Sequence, residues 1–312
     1  MTDQKPTILI TTPALQFVEP SLQPHYSVVR AWEAGSDQHF PQVRTIVCLG
    51  NEDVEGVLGR CPSAGLIACY TTGYDAIDIG AARRRGVLVS HAPGATSYAV
   101  AEFAIALILA AFRNVVVGDR RVRAGEWRPG QAMVGRSLAG ARLGVVGLGD
   151  IGAQLSALAR ALGMDVAWWG PRPKPEAPWP RAASLIELAR GADVLAICAR
   201  SDPANRHLID AAVIDAVGPT GLIVNVGRGQ LIDEDALLAA LHEGRLGGAA
   251  LDVFEAEPTP PARWADAPGA ITTPHIAGGT LQSTAKMTEM LLANLAAFYA
   301  GRPLATPVPA DS

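Results

Sequence analysis

Short apolar runs, each closed by glycine, proline or a polar cluster, alternate along this chain with stretches in which apolar positions return every three or four residues. The first pattern predicts strands buried on both faces, and the second predicts helices laid over them. In the first hundred residues the strand patterns are Ile8–Ile10, Thr45–Leu49, Leu66–Cys69 and Val87–Ser90. Between the last two, DAIDIGAARRRG predicts a helix that Asp75 caps and Gly86 ends. Its Arg83, Arg84 and Arg85 run reads as a solvated face. A long helical pattern then runs from Ser97 to about Val117, and RVRAGEWRPG after it predicts an exposed arm.

The second half repeats the alternation. Leu143–Val146 enters a three-glycine turn, and an amphipathic helical pattern follows until Gly163. Asp165–Trp169, Val194–Cys198, Leu222–Val226, Ala249–Val253 and Ile271–Thr273 are the later strand patterns, with helices between the first four. Right-handed crossovers make such an order a parallel, doubly wound sheet. The last helix, from about Gln282 to Tyr299, is expected to leave this sheet and return to the first one. The predicted fold is therefore α/β with two Rossmann-like domains. Residues 99–285 form a doubly wound dinucleotide-binding domain, and residues 1–98 with 286–312 form a discontinuous, flavodoxin-like substrate domain, with a cleft expected at the hinges. PRPKPEAPWP, Pro171–Pro180, is a stiff surface loop.

The glycine turn carries the first chemistry. In Gly147-Leu148-Gly149-Asp150-Ile151-Gly152 the first glycine permits a tight turn, the second lets backbone approach a pyrophosphate, and the third lets helix pack on strand. The helix N-terminus then offers N–H groups and a positive dipole end to the phosphates. An NAD site places an acid about 20 residues beyond the first glycine, on the ribose 2′-hydroxyl. Gly170 stands where that acid belongs, and Arg172 and Lys174 follow it. Loss of the carboxylate and gain of two cations favour a 2′-phosphate, hence NADP(H) over NAD(H).

Composition narrows the partners. The chain has 312 residues, enough for two domains, with 49% apolar and 18% charged residues and a net charge of −4. That balance supplies no electrostatic reason to expect nucleic acid or an anionic membrane. Four cysteines form no CxxC pair and no ligand cluster with the six histidines, so no metal is expected and reduced cytoplasmic thiols are. MTDQKPTILITT has neither a basic n-region nor a long apolar h-region, and the apolar run Phe103–Phe112 is too short for a membrane span.

Open α/β sheets bind ligands beyond the carboxyl ends of their strands. Arg228 follows LIVNV between two glycines, Glu257 follows AALDV in FEAEP, and His275 follows ITTP. Each alone reads as a solvated or structural residue. Together, a guanidinium, a carboxylate and an imidazole suit reduction of a small 2-oxo acid. Arg228 holds the substrate carboxylate and polarises the carbonyl, and His275, oriented and kept protonated by Glu257, donates a proton as hydride arrives.

These segments resemble the D-2-hydroxyacid dehydrogenase family over nearly the whole chain, in particular its NADPH-dependent glyoxylate, hydroxypyruvate and hydroxyphenylpyruvate reductases. TTGYDAID, VAEFAIAL, GVVGLGDIG, NVGRGQLIDEDAL, GGAALDVFEAEP and TPHIAGGT carry the resemblance, in that order. It implies that Arg228, Glu257 and His275 are the catalytic set and that the loop Thr72, Gly73, Tyr74 receives the substrate carboxylate on its backbone. It also implies that Asp252 contacts the nicotinamide carboxamide, and it adds Val226, Gly227 and Gly278 to the cofactor set. The region Ser97–Arg128 falls on the family's dimer-forming helix and arm, so a homodimer is implied. Glyoxylate and hydroxypyruvate are the favoured substrates. Aryl pyruvates come next, and a dinucleotide-sensing corepressor of the same fold is the alternative of a different class. The chain departs from the family at ARSDPAN, where Arg200, Ser201 and Asp202 replace its usual Pro-containing wall, and Tyr70 and Thr71 flank the substrate loop.

Overall fold

A computed structural model describes residues 5–130 and 132–309. The first four residues of the segment read for an export signal, and the last three of the chain, lie outside them. Among the described residues, eleven strands, all paired in parallel, form two sheets: β1 Thr7–Ile10, β2 Ser27–Arg30, β3 Val43–Cys48, β4 Leu66–Cys69 and β5 Leu88–Ser90 in one, and β6 Arg142–Val146, β7 Asp165–Trp169, β8 Val194–Ile197, β9 Leu222–Asn225, β10 Gly248–Leu251 and β11 Ala270–Thr272 in the other. The chain divides into two compact units, Met1–Thr96 with Thr280–Ser312, and Ser97–Gly279. One boundary falls at the N-cap of the last helix, Leu281–Tyr299, where the Thr280 hydroxyl accepts from the Ser283 N–H at 3.0 Å.

In the first unit the strand order is β2-β1-β3-β4-β5, the flavodoxin-like arrangement. Strand β2 has no counterpart in the sequence reading. It is a half-exposed edge strand with only two apolar residues, Val28 and Val29, too few to stand out as a pattern. Alternate residues of the inner strands serve two cores. Ile46, Cys48, Ile67, Cys69 and Val89 meet Leu58, Ile79 and Ala82 on one face. On the other, Ile8, Ile10, Val47, Leu66, Ala68 and Tyr70 meet Met287, Leu291 and Leu295 of the last helix. The helix expected from Asp75 begins later, at Ile79, because it is the Asp78 carboxylate that accepts from the Ala81 N–H at 2.7 Å. Gly86 closes it at φ +71°.

In the second unit the order is β11-β10-β9-β8-β6-β7. A single parallel bridge, Trp168 to Arg181, lies beyond β7. Counted as the third strand, it gives the dinucleotide-binding order 3-2-1-4-5-6 with β11 added at the far edge. Proline has no N–H for a ladder, so the segment ending in Pro178 and Pro180 reduces this strand to one bridge. Leu143 and Val145 face one core with helices Ser97–Phe112 and Asp150–Ala161, and Val146 and Ile197 face the other with Leu185–Gly191, Ala211–Val217 and Glu234–His242. The single helix expected from Ser97 to Val117 is two helices, Ser97–Phe112 and Val115–Arg123, bent by 60°. Asn114 sits between them at φ +55°, a left-handed conformation that asparagine tolerates and that ends an α-helix. No single helix among the described residues is long and apolar enough to cross a membrane.

Candidate active site

The glycine turn joins β6 to helix Asp150–Ala161 at the point where the strand order reverses, between β6 and β8. Gly147 takes φ +89°, and a Cβ there would lie 2.7 Å from the Ala199 Cα at the end of β8. A Cβ on Gly152 would lie 2.2 Å from the Gly147 carbonyl oxygen, so only glycine lets this helix start against its strand. Gly149 is different: a Cβ there meets nothing within 4 Å. The backbone is thus bared toward open space at a helix N-terminus, whose first N–H groups no intrahelical carbonyl can reach. That cradle fits a pyrophosphate. Leu148 and Val226 are buried, and Asp150 is exposed in the helix's first turn.

Beyond the turn, the Gly147 N–H donates to the Trp169 carbonyl at 2.8 Å, which sets the end of β7 beside the turn. Gly170 follows, buried, with its carbonyl accepting from Arg181 at 2.7 Å. Lys174 Nζ reaches back across the proline loop and donates to the Leu148 carbonyl at 2.6 Å. The cation expected near a 2′-phosphate therefore lies on the glycine turn itself. Arg172 is exposed on the same loop. At the departure at 200–202, Asp202 caps Pro203–Asn205, the Asn205 amide donates to the Arg200 carbonyl at 2.8 Å, and the Ser201 hydroxyl donates to Gln230 Oε1 at 3.3 Å.

At the ends of β9, β10 and β11 the structure brings Arg228, Glu257 and His275 together. His275 Nδ1 lies 2.7 Å from Glu257 Oε2. A carboxylate only accepts, so Nδ1 carries the hydrogen and Nε2 is left to exchange a proton with a ligand. The other carboxylate oxygen accepts from the Phe254 N–H at 3.0 Å. Burial pushes the Glu257 carboxyl up. The hydrogen bond from His275, the Phe254 N–H and the charges of His275 and Arg228 together outweigh that burial and hold it below the usual glutamate range. His275 is half-exposed and takes φ +53°, a conformation disfavoured for residues other than glycine, with its N–H bonded to the Asp252 carbonyl at 2.9 Å.

Asp252 fixes the loop that carries this histidine. Buried to 1% exposure, its carboxylate accepts from the Thr273 hydroxyl at 2.6 Å and from the N–H groups of Ile276 and Ala277, both at 2.9 Å. Gly278 ends the same loop. Asn225, also buried, bonds both sides of Arg228: its Oδ1 accepts from the Gly227 N–H at 3.0 Å and its Nδ2 donates to the Arg228 carbonyl at 2.9 Å. The glycines flanking Arg228 make room for the protein's own backbone. A Cβ on Gly229 would lie 1.8 Å from the Phe254 carbonyl carbon, and one on Gly227 would lie 2.9 Å from the Ala199 oxygen. Arg228 also donates to the Gly227 carbonyl at 2.8 Å.

In the other unit, Thr72, Gly73 and Tyr74 follow β4. The Tyr74 ring is buried in the core, so this residue offers a ligand its backbone and not its hydroxyphenyl group. Tyr70 likewise points inward, bonding the Thr284 carbonyl at 3.0 Å and lying 3.1 Å from the Thr288 hydroxyl. Sequence reasoning passed over Asn225 and His91. No spacing gives either side chain a role, and only the folded chain sets them against the Arg228 and Thr72 backbones.

Comparison with known proteins accords with this geometry. Residues 105–277 match the family model described as D-isomer specific 2-hydroxyacid dehydrogenase, NAD binding domain. The chain is 32% identical over 307 residues to hydroxyphenylpyruvate reductase of Plectranthus scutellarioides, covering 96% of this chain and 98% of that protein. It is 31% identical over 307 residues to glyoxylate/hydroxypyruvate reductase A of Arabidopsis thaliana, with 96% and 98% covered. Among solved structures, the NADPH-dependent glyoxylate/hydroxypyruvate reductase of Sinorhizobium meliloti, in complex with NADP and malonate, superposes with a TM-score of 0.89 at 29% identity, covering 98% of this chain and 97% of that one.

Proposed function

The chain belongs to the D-isomer specific 2-hydroxyacid dehydrogenase family, and we propose that it reduces small 2-oxo acids, glyoxylate and hydroxypyruvate foremost, to D-2-hydroxy acids with NADPH. One observation carries this reading: the 2.7 Å His275–Glu257 pair held at strand ends beside Arg228, in the same unit as a glycine turn that fits a dinucleotide pyrophosphate. The bound nicotinamide supplies the hydride. Arg228 engages the substrate carboxylate and polarises its carbonyl, and His275 Nε2 gives the proton to the carbonyl oxygen. Glu257 holds the imidazole in one orientation, with the hydrogen on Nδ1 and Nε2 turned to the ligand. Asp252 serves the nicotinamide end by tying down the loop from Thr273 to Ala277, and Thr72–Tyr74 receives the carboxylate on its N–H groups.

A panel of 2-oxo acids read by NADPH oxidation tests the assignment. Turnover with glyoxylate and hydroxypyruvate well above phenylpyruvate and oxaloacetate is expected. Tight dinucleotide binding without turnover on any of them would favour the corepressor-like alternative instead.

Cofactor preference rests on the buried Gly170, in place of an acid, and on Lys174 at the Leu148 carbonyl. Replacing Arg172 and Lys174 together by alanine is expected to weaken NADPH binding about tenfold or more and to change NADH binding about twofold or less, a difference that titration of each nucleotide reads directly. We further propose a homodimer formed through the helix Val115–Arg123 and the segment after it, where Val115, Val122, Trp127 and Val134 are exposed. A cytoplasmic setting fits the four free, buried cysteines.

A further inference from the structure

The loop Thr72–Tyr74 is held from behind by the side chains of His91 and Thr71, and the Cys69 thiol also donates to the Gly73 carbonyl, at 3.3 Å. His91, just after β5, places Nδ1 2.9 Å from the Thr72 carbonyl oxygen. A carbonyl only accepts, so Nδ1 carries the hydrogen, and it does so whether the ring is neutral or charged. Thr71 donates its hydroxyl to the Gly73 carbonyl at 2.8 Å and accepts from the Gly50 N–H at 2.9 Å. Gly50 is pressed so close that a Cβ there would overlap the Gly73 oxygen, at 1.7 Å.

A trans peptide is planar, with its N–H directed opposite to its C=O. Gripping the Thr72 carbonyl therefore aims the Gly73 N–H the other way, and gripping the Gly73 carbonyl aims the Tyr74 N–H. We propose that His91 and Thr71 are positioning residues that orient the Gly73 and Tyr74 N–H groups toward the substrate carboxylate. The inference rests on the reading of this loop as the carboxylate site.

His91 is itself anchored for the task. Its N–H donates to the Thr306 carbonyl at 3.1 Å, and its carbonyl accepts from the Thr306 hydroxyl at 2.5 Å. Thr306 is bonded in turn to the buried Asn294 of the last helix through both its N–H, at 3.0 Å, and its hydroxyl, at 2.7 Å. The Tyr74 ring stands edge-on to the imidazole, with centroids 4.9 Å apart. The C-terminal segment thus holds the histidine, and the histidine holds the loop.

Loss of one such hydrogen bond corresponds to roughly a fivefold to tenfold change. His91→Ala is expected to raise KM for glyoxylate and hydroxypyruvate by about that factor, with kcat and the NADPH dissociation constant within about twofold. Asparagine puts its Nδ2 where the imidazole Nδ1 stands, so His91→Asn should recover most of the loss. Glutamine, whose amide reaches the Nε2 position, should not. Thr71→Ser should behave as wild type and Thr71→Val as His91→Ala. An unchanged KM in His91→Ala overturns the proposal, as does a His91→Asn variant as impaired as alanine or a parallel loss of NADPH affinity. Hydrogen exchange in the wild type separates this failure from that of the underlying reading. Oxalate, added with NADPH, should protect the amides of Gly73 and Tyr74. No protection removes the loop as carboxylate site and the proposal with it, whereas protection with a flat KM in His91→Ala removes the proposal alone.

Discussion

Replacing His275 by alanine is expected to lower kcat for 2-oxo acid reduction by on the order of a hundredfold or more, with NADPH affinity kept within about twofold. In the proposed reaction, hydride arriving at a carbonyl carbon leaves charge on the oxygen, and Nε2, left free by the His275–Glu257 geometry, would supply the proton. Alanine removes that donor and leaves Gly147–Gly152 intact. Glu257 also sets how the pair behaves with pH. Its folded carboxyl lies below the usual glutamate range, so the stability it contributes is present above the unfolded value of about 4.3 and is lost as pH falls through the lower folded value. Glu257 therefore stays ionised through mildly acidic pH. The acid-side fall of wild-type kcat/KM should come only below the usual glutamate range, and a fall beginning above that range would show Glu257 protonating too early.

Arg228→Ala carries the second large effect. Arginine presents a planar fork that matches a carboxylate. Its loss is expected to raise KM for the 2-oxo acid about tenfold and to lower kcat/KM by on the order of a hundredfold to a thousandfold, because in the proposed reaction the same group polarises the carbonyl as charge develops. Arg228→Lys should recover only part of this, since an ammonium cannot make the paired contact. Steady-state kinetics on the two variants decides the matter, and an unchanged KM in Arg228→Ala would remove it from the carboxylate.

Inner strands and the glycine turn were legible because local chemistry alone dictates them. A strand buried on both faces must be an apolar run, and a helix whose first turn would put a Cβ 2.2 Å from the Gly147 carbonyl oxygen must carry glycine there. The edge strand Ser27–Arg30 and the single bridge at Arg181 were not, since pairing at an edge depends on the neighbour and not on the segment's own pattern. Asn114 broke a helix that periodicity runs through, because apolar spacing does not register one residue's left-handed backbone. Arg228, Glu257 and His275 could be found from their places after successive strands. What lay hidden was the support beneath them: the three donors on Asp252, the two bonds from Asn225, and the reason Gly229 has no side chain. These contacts link residues distant in sequence or depend on packing, and no spacing rule encodes them.

The central claim is that this chain passes a hydride to a 2-oxo acid while His275 supplies the proton. Rapid mixing of the NADPH-loaded protein with hydroxypyruvate, wild type beside His275→Ala, measures that step alone. NADPH is expected to be consumed promptly in the wild type and on the order of a hundredfold more slowly in the variant, at equal cofactor occupancy. A wild type that leaves bound NADPH unchanged, or a variant that consumes it at the wild-type rate, would contradict it.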